Sequence, residues 1–147
     1  MIILSIGTNI GDRERNIENA IVALGEIGKV TAISPIYTSE PWGFESENGF
    51  YNIVLILESV LSPLDLLRET QRIEKELGRT AKTTTEYADR VIDIDIIDYD
   101  NQIIDYRIES ADNSSLLTLP HPLMHLRNFV LYPLADIAPE WIHPILK

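Results

Sequence analysis

The residues best equipped for chemistry fall in one stretch, Asp89-Arg90-Val91-Ile92-Asp93-Ile94-Asp95-Ile96-Ile97. From Ile92 to Ile96 apolar and acidic residues alternate strictly, the period of a strand with one greasy face and one charged face. Asp93 and Asp95 would then project from the same face, roughly 7 Å apart at their α-carbons. Carboxylates that close repel each other unless a cation lies between them. Oxygen ligands on a rigid strand suit hard divalent ions, and magnesium takes one or two carboxylates and completes its shell with water and substrate phosphates. Arg90, just ahead of the pair, supplies the planar fork that grips phosphate. The pattern therefore points to a metal-phosphate site. The competing reading is the wet face of an antiparallel sheet, which shows the same alternation.

Other candidates lie further along. His121 and His125 are four apart and could bind zinc from one helical face, but Pro120 and Pro122 disfavour a helix through His121 and no third strong ligand is near. His121 and Arg127 read better as phosphate contacts supplementing Arg90. Gln71 and Glu74 share one side of a helix, where their spacing alone describes an ordinary solvated pair. No G-x-x-x-x-G-K-[ST] loop and no kinase glycine loop occurs, so any nucleotide site is of another type.

Composition narrows the classes. The chain has 147 residues, the length of one domain with a real core, and its 12 basic against 23 acidic residues give a net charge of −11. That balance argues against broad contact with nucleic acid or anionic membrane, and leaves room for a nucleotide neutralised locally by arginines and metal ions. There is no cysteine, hence no disulfide or thiolate chemistry. The opening run Ile2-Ile3-Leu4-Ser5-Ile6-Gly7 is too short to span a bilayer and lacks a basic leader, so a soluble, cytoplasmic protein is expected. Monomer is the expected state.

Positioning elements follow from periodicity. Ile2 to Gly7 reads as a buried strand, followed by the tight connection Gly7-Thr8-Asn9-Ile10-Gly11-Asp12, with Asp12 as cap of a helix running from Arg13 to Ile27 and ended by Gly28. Lys29 to Ser39 is β-rich and interrupted by Pro35, which predicts an edge or bulged strand. Residues 39–49 form a polar loop carrying Trp42 and Phe44. Phe50 to Glu58 is a nearly continuous apolar strand, expected in the centre of a sheet. Ser62-Pro63 opens a second helix closed by Gly78. Arg79 to Asp89 is polar and aperiodic, a loop long enough to act as a lid over the acidic strand. A short strand near Ile103-Ile104 and a helix from Val130 to Ile137 complete the chain, residues 1–147 forming one domain. The order strand, helix, strand, strand, helix, strand is that of a split βαβ, or ferredoxin-like, α+β fold, an antiparallel sheet with both helices on one face plus C-terminal additions. In that arrangement the first and fourth strands should lie side by side in the middle, bringing Gly7-Thr8-Asn9 near Asp93 and Asp95.

Several segments then line up together: Gly7-Thr8-Asn9-Ile10-Gly11-Asp12, Tyr37 to Gly43, Phe50-Tyr51-Asn52, Gln71-Arg72-Ile73-Glu74, Leu77-Gly78-Arg79, Asp89-Arg90 with Asp93 and Asp95, Leu119-Pro120-His121-Pro122, and Arg127 to Leu134. In this order, to about Pro139, the chain resembles the 6-hydroxymethyl-7,8-dihydropterin pyrophosphokinases of folate biosynthesis. The resemblance implies transfer of pyrophosphate from ATP to the pterin hydroxymethyl oxygen, with release of AMP. It implies two magnesium ions on Asp93 and Asp95, with Asp95 steering the hydroxyl proton and Arg79 and Arg90 assisting catalysis. It assigns ATP to Gln71, Glu74, Arg90, Thr118, His121 and Arg127. It assigns the pterin to Phe50 and Phe129 as stacking faces, Asn52 for the polar edge, and Ser39, Glu40 and Trp42 as the rest of the pocket. The chain departs from the family pattern in the loop before the acidic strand: Ala81 and then Lys82 stand where a second arginine is common, Ala88-Asp89 replace Gly-Pro, the loop is one residue longer, and Leu116 replaces a basic residue found in some members. Two other activities share the acidic pair as an explanation, a metal-dependent phosphohydrolase and a non-catalytic pterin- or nucleotide-binding module.

Overall fold

The computed structural model describes residues 1–39, 49–78, 91–107 and 116–147. β1 (Ile2–Thr8) is covered on both faces, which is why it reads as an apolar run and not as an alternation. It pairs antiparallel with β4 (Phe50–Glu58) on one side and β5 (Asp93–Tyr99) on the other. β4 also pairs with β2 (Lys29–Ile33) and with β3 (Tyr37–Ser39), so the sheet runs β2-β4-β1-β5 with β3 beside β4. Pro35 splits the β-rich stretch as its missing donor predicts. Ser34 bridges the break, its N–H donating to the Val54 carbonyl and its Oγ accepting from the Val54 N–H, each at 2.9 Å.

The central pair is β4 and β1. The fourth strand of the expected pattern, β5, does lie against β1, but at the end of the strand order and not in its middle. α1 (Arg13–Leu24) and α2 (Pro63–Glu76) cover one face of the sheet, where Ile17, Ala20, Leu24, Leu66 and Ile73 pack on Leu4, Ile6, Ile53, Leu55, Ile92, Ile94 and Ile96. α3 (Asn128–Ile137) covers part of the other face, with Val130 and Leu134 on Ile3, Val54 and Ile97. The capping residues act as their types dictate: Asp12 accepts from the Arg15 N–H and Ser62 from the Asp65 N–H, both at 3.2 Å.

α1 stops at Leu24, a turn short of the predicted end at Gly28. Gly28 is needed for another reason: a Cβ there would stand 2.4 Å from the Glu58 carbonyl oxygen, because the chain enters β2 hard against the end of β4. The predicted strand near Ile104 is β6 (Ile104–Arg107), and its partner β7 (Leu116–Leu119) carries no sequence period that announced it. α3 begins at Asn128, two residues before the predicted start. Among the described residues no helix is long and apolar enough to cross a membrane.

Candidate active site

The alternation in β5 sorts its side chains as predicted. Ile92, Ile94 and Ile96 enter the core under α1 and α2, so Asp93 and Asp95 stand on the opposite face with partly exposed carboxylates. A register shift between Ile3 and Leu4 makes Ile97 an extra residue in β5, and Ile97 joins the α3 side. The Ile97 carbonyl accepts the His121 N–H at 2.9 Å, which seats the segment after β7 on the outer edge of β5. His121 Nε2 is thereby 4.0 Å from Asp95 Oδ2, and Arg127 Nη1 is 3.8 Å from the same oxygen.

The protonation of His121 follows from its surroundings. Its Nδ1 accepts the Leu123 N–H at 3.1 Å, so the neutral ring carries its proton on Nε2, on the side of Asp95. Burial, and then the Arg127 guanidinium, pull the imidazole from 6.5 down to about 4, against the opposing pull of Asp93. Near pH 7 it is an uncharged donor.

The sheet register joins this acidic corner to a second cluster. Tyr37, Asn52, Gly7 and Asp93 are successive cross-strand neighbours on β3, β4, β1 and β5. Asn52 and Asp93 are therefore two strand spacings apart, about 10 Å, with only a glycine between them. Asn52 Nδ2 donates to Ser39 Oγ at 2.8 Å and to the Tyr37 carbonyl at 3.2 Å, which turns Oδ1 toward Gly7. A Cβ on Gly7 would meet Asn52 Oδ1 at 3.1 Å and the Phe50 ring at 3.5 Å. From the α3 side, Phe129 lies under the Arg127 guanidinium, whose central carbon is 5.6 Å from the ring centre. A cavity of about 310 Å³ opens here between β3 and the start of α3, lined by Tyr37, Thr38, Ser39, Leu126, Arg127, Asn128, Phe129 and Tyr132. Tyr37 hydrogen-bonds Asp136 of α3 and closes its far side.

One sheet face thus carries Asp93, Asp95, Asn52, Phe50 and Ser39, with His121, Arg127 and Phe129 brought onto it by the C-terminal segment. Other predicted site residues are placed differently. Glu74 is not half of a solvated pair: it is 3% exposed, under β5, and its Oε2 accepts the Ile94 N–H at 2.8 Å. Gln71 is partly buried on the same helix, and Thr118 is exposed on β7 opposite Asp105. Glu40, Trp42, Arg79 and Arg90, and with them the expected lid from Arg79 to Asp89, lie outside the described residues. His125 is exposed in a 3-10 turn (Met124–Leu126), and among the described residues no group of three metal-binding side chains of the His, Cys, Asp or Glu type occurs.

Two residues have a bearing on the site that their type and spacing did not announce. Gly7 reads as a turn glycine but lies inside β1 and leaves room for Asn52 and Phe50. Arg13 donates to the Gly49 carbonyl at 2.9 Å and stacks 4.1 Å over the Tyr51 ring, clamping the start of β4 where Phe50 sits. An arginine one residue after a helix cap gives no sign of such a long-range partner.

Comparison with known proteins identifies the family. A family model described as 7,8-dihydro-6-hydroxymethylpterin-pyrophosphokinase (HPPK) matches residues 3–139. A 2-amino-4-hydroxy-6-hydroxymethyldihydropteridine pyrophosphokinase of Porphyromonas gingivalis is 44% identical over 146 residues, covering 98% of this chain and 94% of the relative. One from Aquifex aeolicus is 40% identical over 144 residues, covering 98% and 84%. Among solved structures, Plasmodium falciparum HPPK-DHPS with pterin and p-hydroxybenzoate superposes with a TM-score of 0.79 at 19% identity, over 99% of this chain and 41% of that one, a likeness of fold. Matched by a family model along most of its length and by relatives along most of theirs, the chain belongs to the 7,8-dihydro-6-hydroxymethylpterin-pyrophosphokinase family.

Proposed function

We propose that this chain transfers pyrophosphate from ATP to 6-hydroxymethyl-7,8-dihydropterin, giving AMP and the pterin diphosphate, with two magnesium ions held by Asp93 and Asp95. The observation that carries the reading is the shared sheet face: two carboxylates and the Arg127 and His121 donors at one end, and the Phe50, Asn52 and Phe129 cluster across Gly7 at the other. The donor set suits magnesium, since it is all oxygen, sits on a rigid strand and supplies the one or two carboxylates such an ion uses. When bound, the ions supply charge neutralisation for the triphosphate and a template for the attacking and leaving oxygens.

The chain's own residues account for the rest. A flat bicyclic ring fits between the faces of Phe50 and Phe129, and Asn52 Oδ1, with its amide nitrogen already engaged, accepts from the amino and ring N–H donors of the pterin edge. The hydroxymethyl arm then reaches across Gly7 toward the Asp93 and Asp95 pair. Its oxygen attacks the β-phosphorus in line, the bond from that phosphorus to the α-β bridging oxygen breaks, and AMP departs with that oxygen. Asp95 accepts the hydroxyl proton, or steers it to water, as the new oxygen–phosphorus bond forms. Arg127 and the Nε2–H of His121 donate to phosphate oxygens, with Arg79, Arg90, Gln71 and Thr118 as further nucleotide contacts and Ser39, Glu40 and Trp42 completing the pterin pocket. Glu74, 3% exposed and bonded to the Ile94 amide, serves the site from beneath β5 and not as a nucleotide contact. The strand order β2-β4-β1-β5 with α1 and α2 on one face supports the split βαβ description. We take residues 1–147 as one catalytic domain, monomeric and cytoplasmic.

The test is incubation with magnesium-ATP, with and without the hydroxymethyl dihydropterin. AMP is expected only when the pterin is present. Phosphate release without it would replace this reading with a hydrolase, and binding without turnover would replace it with a binding module.

A further inference from the structure

Four residues of α2 are buried, and Leu66, Thr70 and Ile73 are of types that belong on a packed helix face. The fourth is Glu74, a carboxylate at 3% exposure, and burying one is costly unless it is hydrogen-bonded. Its Oε2 accepts the N–H of Ile94, the residue between Asp93 and Asp95. Among the described residues β5 ends the strand order, so every second N–H along it points away from β1 toward the edge of the sheet.

Register shows what the bond does. Asp93 faces Gly7, Ile94 faces Ile6 and Asp95 faces Ser5. Bonded and non-bonded pairs alternate along an antiparallel ladder, so with the Ile94 N–H given to Glu74, the pairs at Asp93 and Asp95 are those bonded to β1. The backbone is then gripped at three consecutive residues, from β1 at the two aspartates and from α2 between them. An aspartate carboxylate is one methylene from its Cα, so the twist of this tripeptide sets how the two carboxylates converge.

We propose that Glu74 is a positioning residue for the acidic pair: by accepting the Ile94 N–H it supplies the acceptor that a neighbouring strand would, and holds Asp93 and Asp95 at the mutual angle that magnesium needs. The inference rests on the two-carboxylate reading of the preceding subsection. It also gives a reason for a carboxylate here, since an apolar side chain of equal size would leave the Ile94 N–H buried without an acceptor.

The test compares Glu74→Leu, which removes the acceptor, with Glu74→Gln, which keeps an acceptor oxygen. Two readouts independent of turnover are taken: amide hydrogen exchange at Ile94, and ATP affinity by calorimetry as magnesium is varied. In Glu74→Leu the Ile94 amide should exchange at least about tenfold faster while Leu55 in β4 stays protected, and the magnesium needed for half-maximal ATP binding should rise about tenfold, the usual cost of losing a partner that orients a metal ligand. Glu74→Gln should stay within about threefold of the unmodified chain in both. An unchanged magnesium requirement in Glu74→Leu would overturn the proposal, and so would acceleration spread equally over the sheet, which is loss of packing. If the leucine variant fails to fold, the glutamine variant decides: a protected Ile94 amide with an unchanged magnesium requirement supports the proposal, and a protected amide with a tenfold greater requirement overturns it. A parent chain that binds magnesium-ATP but forms no AMP would fail the reaction assigned above and leave this inference standing.

Discussion

Replacing His121 with glutamine tests the electrostatics of the site with a magnitude that the structure supplies. The imidazole is drawn down from 6.5 to about 4 by burial and by Arg127. At about 1.4 kcal/mol per pH unit that gap corresponds to about 3 kcal/mol between the two protonation states. In the unfolded chain His121 gains its proton as pH falls through about 6.5, whereas the folded protein refuses it until about 4. Across that window the unfolded state holds the extra proton, so folding stability falls as pH falls, and below about 4 the effect is complete. Urea unfolding without magnesium, at steps from pH 7 to pH 4.5, should give a stability difference between the parent and His121→Gln that shrinks by at most about 1.4 kcal/mol per pH unit as the solution is acidified. His143 is also held below its usual value, by burial first, so the difference between the two proteins is the quantity to follow. Carbon-proton NMR of the His121 ring should place its midpoint near 4. A midpoint at or above 6.5, or a flat difference between pH 6.5 and 4.5, would refute both the buried geometry and the view that His121 meets phosphate as a neutral Nε2–H donor.

Asp95→Ala should lower kcat by at least about 10³-fold, the equivalent of about 4 kcal/mol of lost transition-state charge stabilisation, with the circular dichroism spectrum unchanged; near-normal turnover would discard the metal assignment. Gly7→Ala places a methyl group against Asn52 Oδ1 and the Phe50 ring, so KM for the pterin should rise about tenfold while KM for ATP holds, and a parallel rise in both would mean a general disturbance of β1. Gly28→Ala drives a Cβ into the Glu58 carbonyl and should lower stability by about 2 kcal/mol or more in urea unfolding, without a selective effect on either substrate.

Local signals and long-range ones separate clearly in this chain. The strand through Asp95, the caps at Asp12 and Ser62, the break at Pro35 and the central place of β4 all express short-range rules, either a period of two or the backbone habits of one residue, and a reader of the sequence can apply them. Gly28 shows the limit. As a helix terminator it satisfies a local rule, yet its necessity comes from a carbonyl thirty residues away. β7 was hidden for a similar reason, since four residues paired with β6 have too short a run to display a period. Of the residues proposed to hold the pterin, Phe50 and Asn52 gained meaning from the resemblance to a family, because an aromatic and an amide on a strand carry no chemistry by type alone.

Residue order by itself determined which groups are available: a strand that must present two carboxylates on one side, an excess of acidic residues that rules out a broad basic surface, and helices whose apolar faces must be buried. Only the tertiary structure decided what faces those groups. The β-bulge at Ile97 seats His121 beside Asp95, the opening of α3 brings Arg127 and Phe129 onto the same face, and the packing of α2 turns Glu74 inward to the Ile94 amide. Each of these contacts joins segments separated by at least twenty residues, and periodicity, which describes the geometry of one element at a time, holds no information about the angle at which two elements meet.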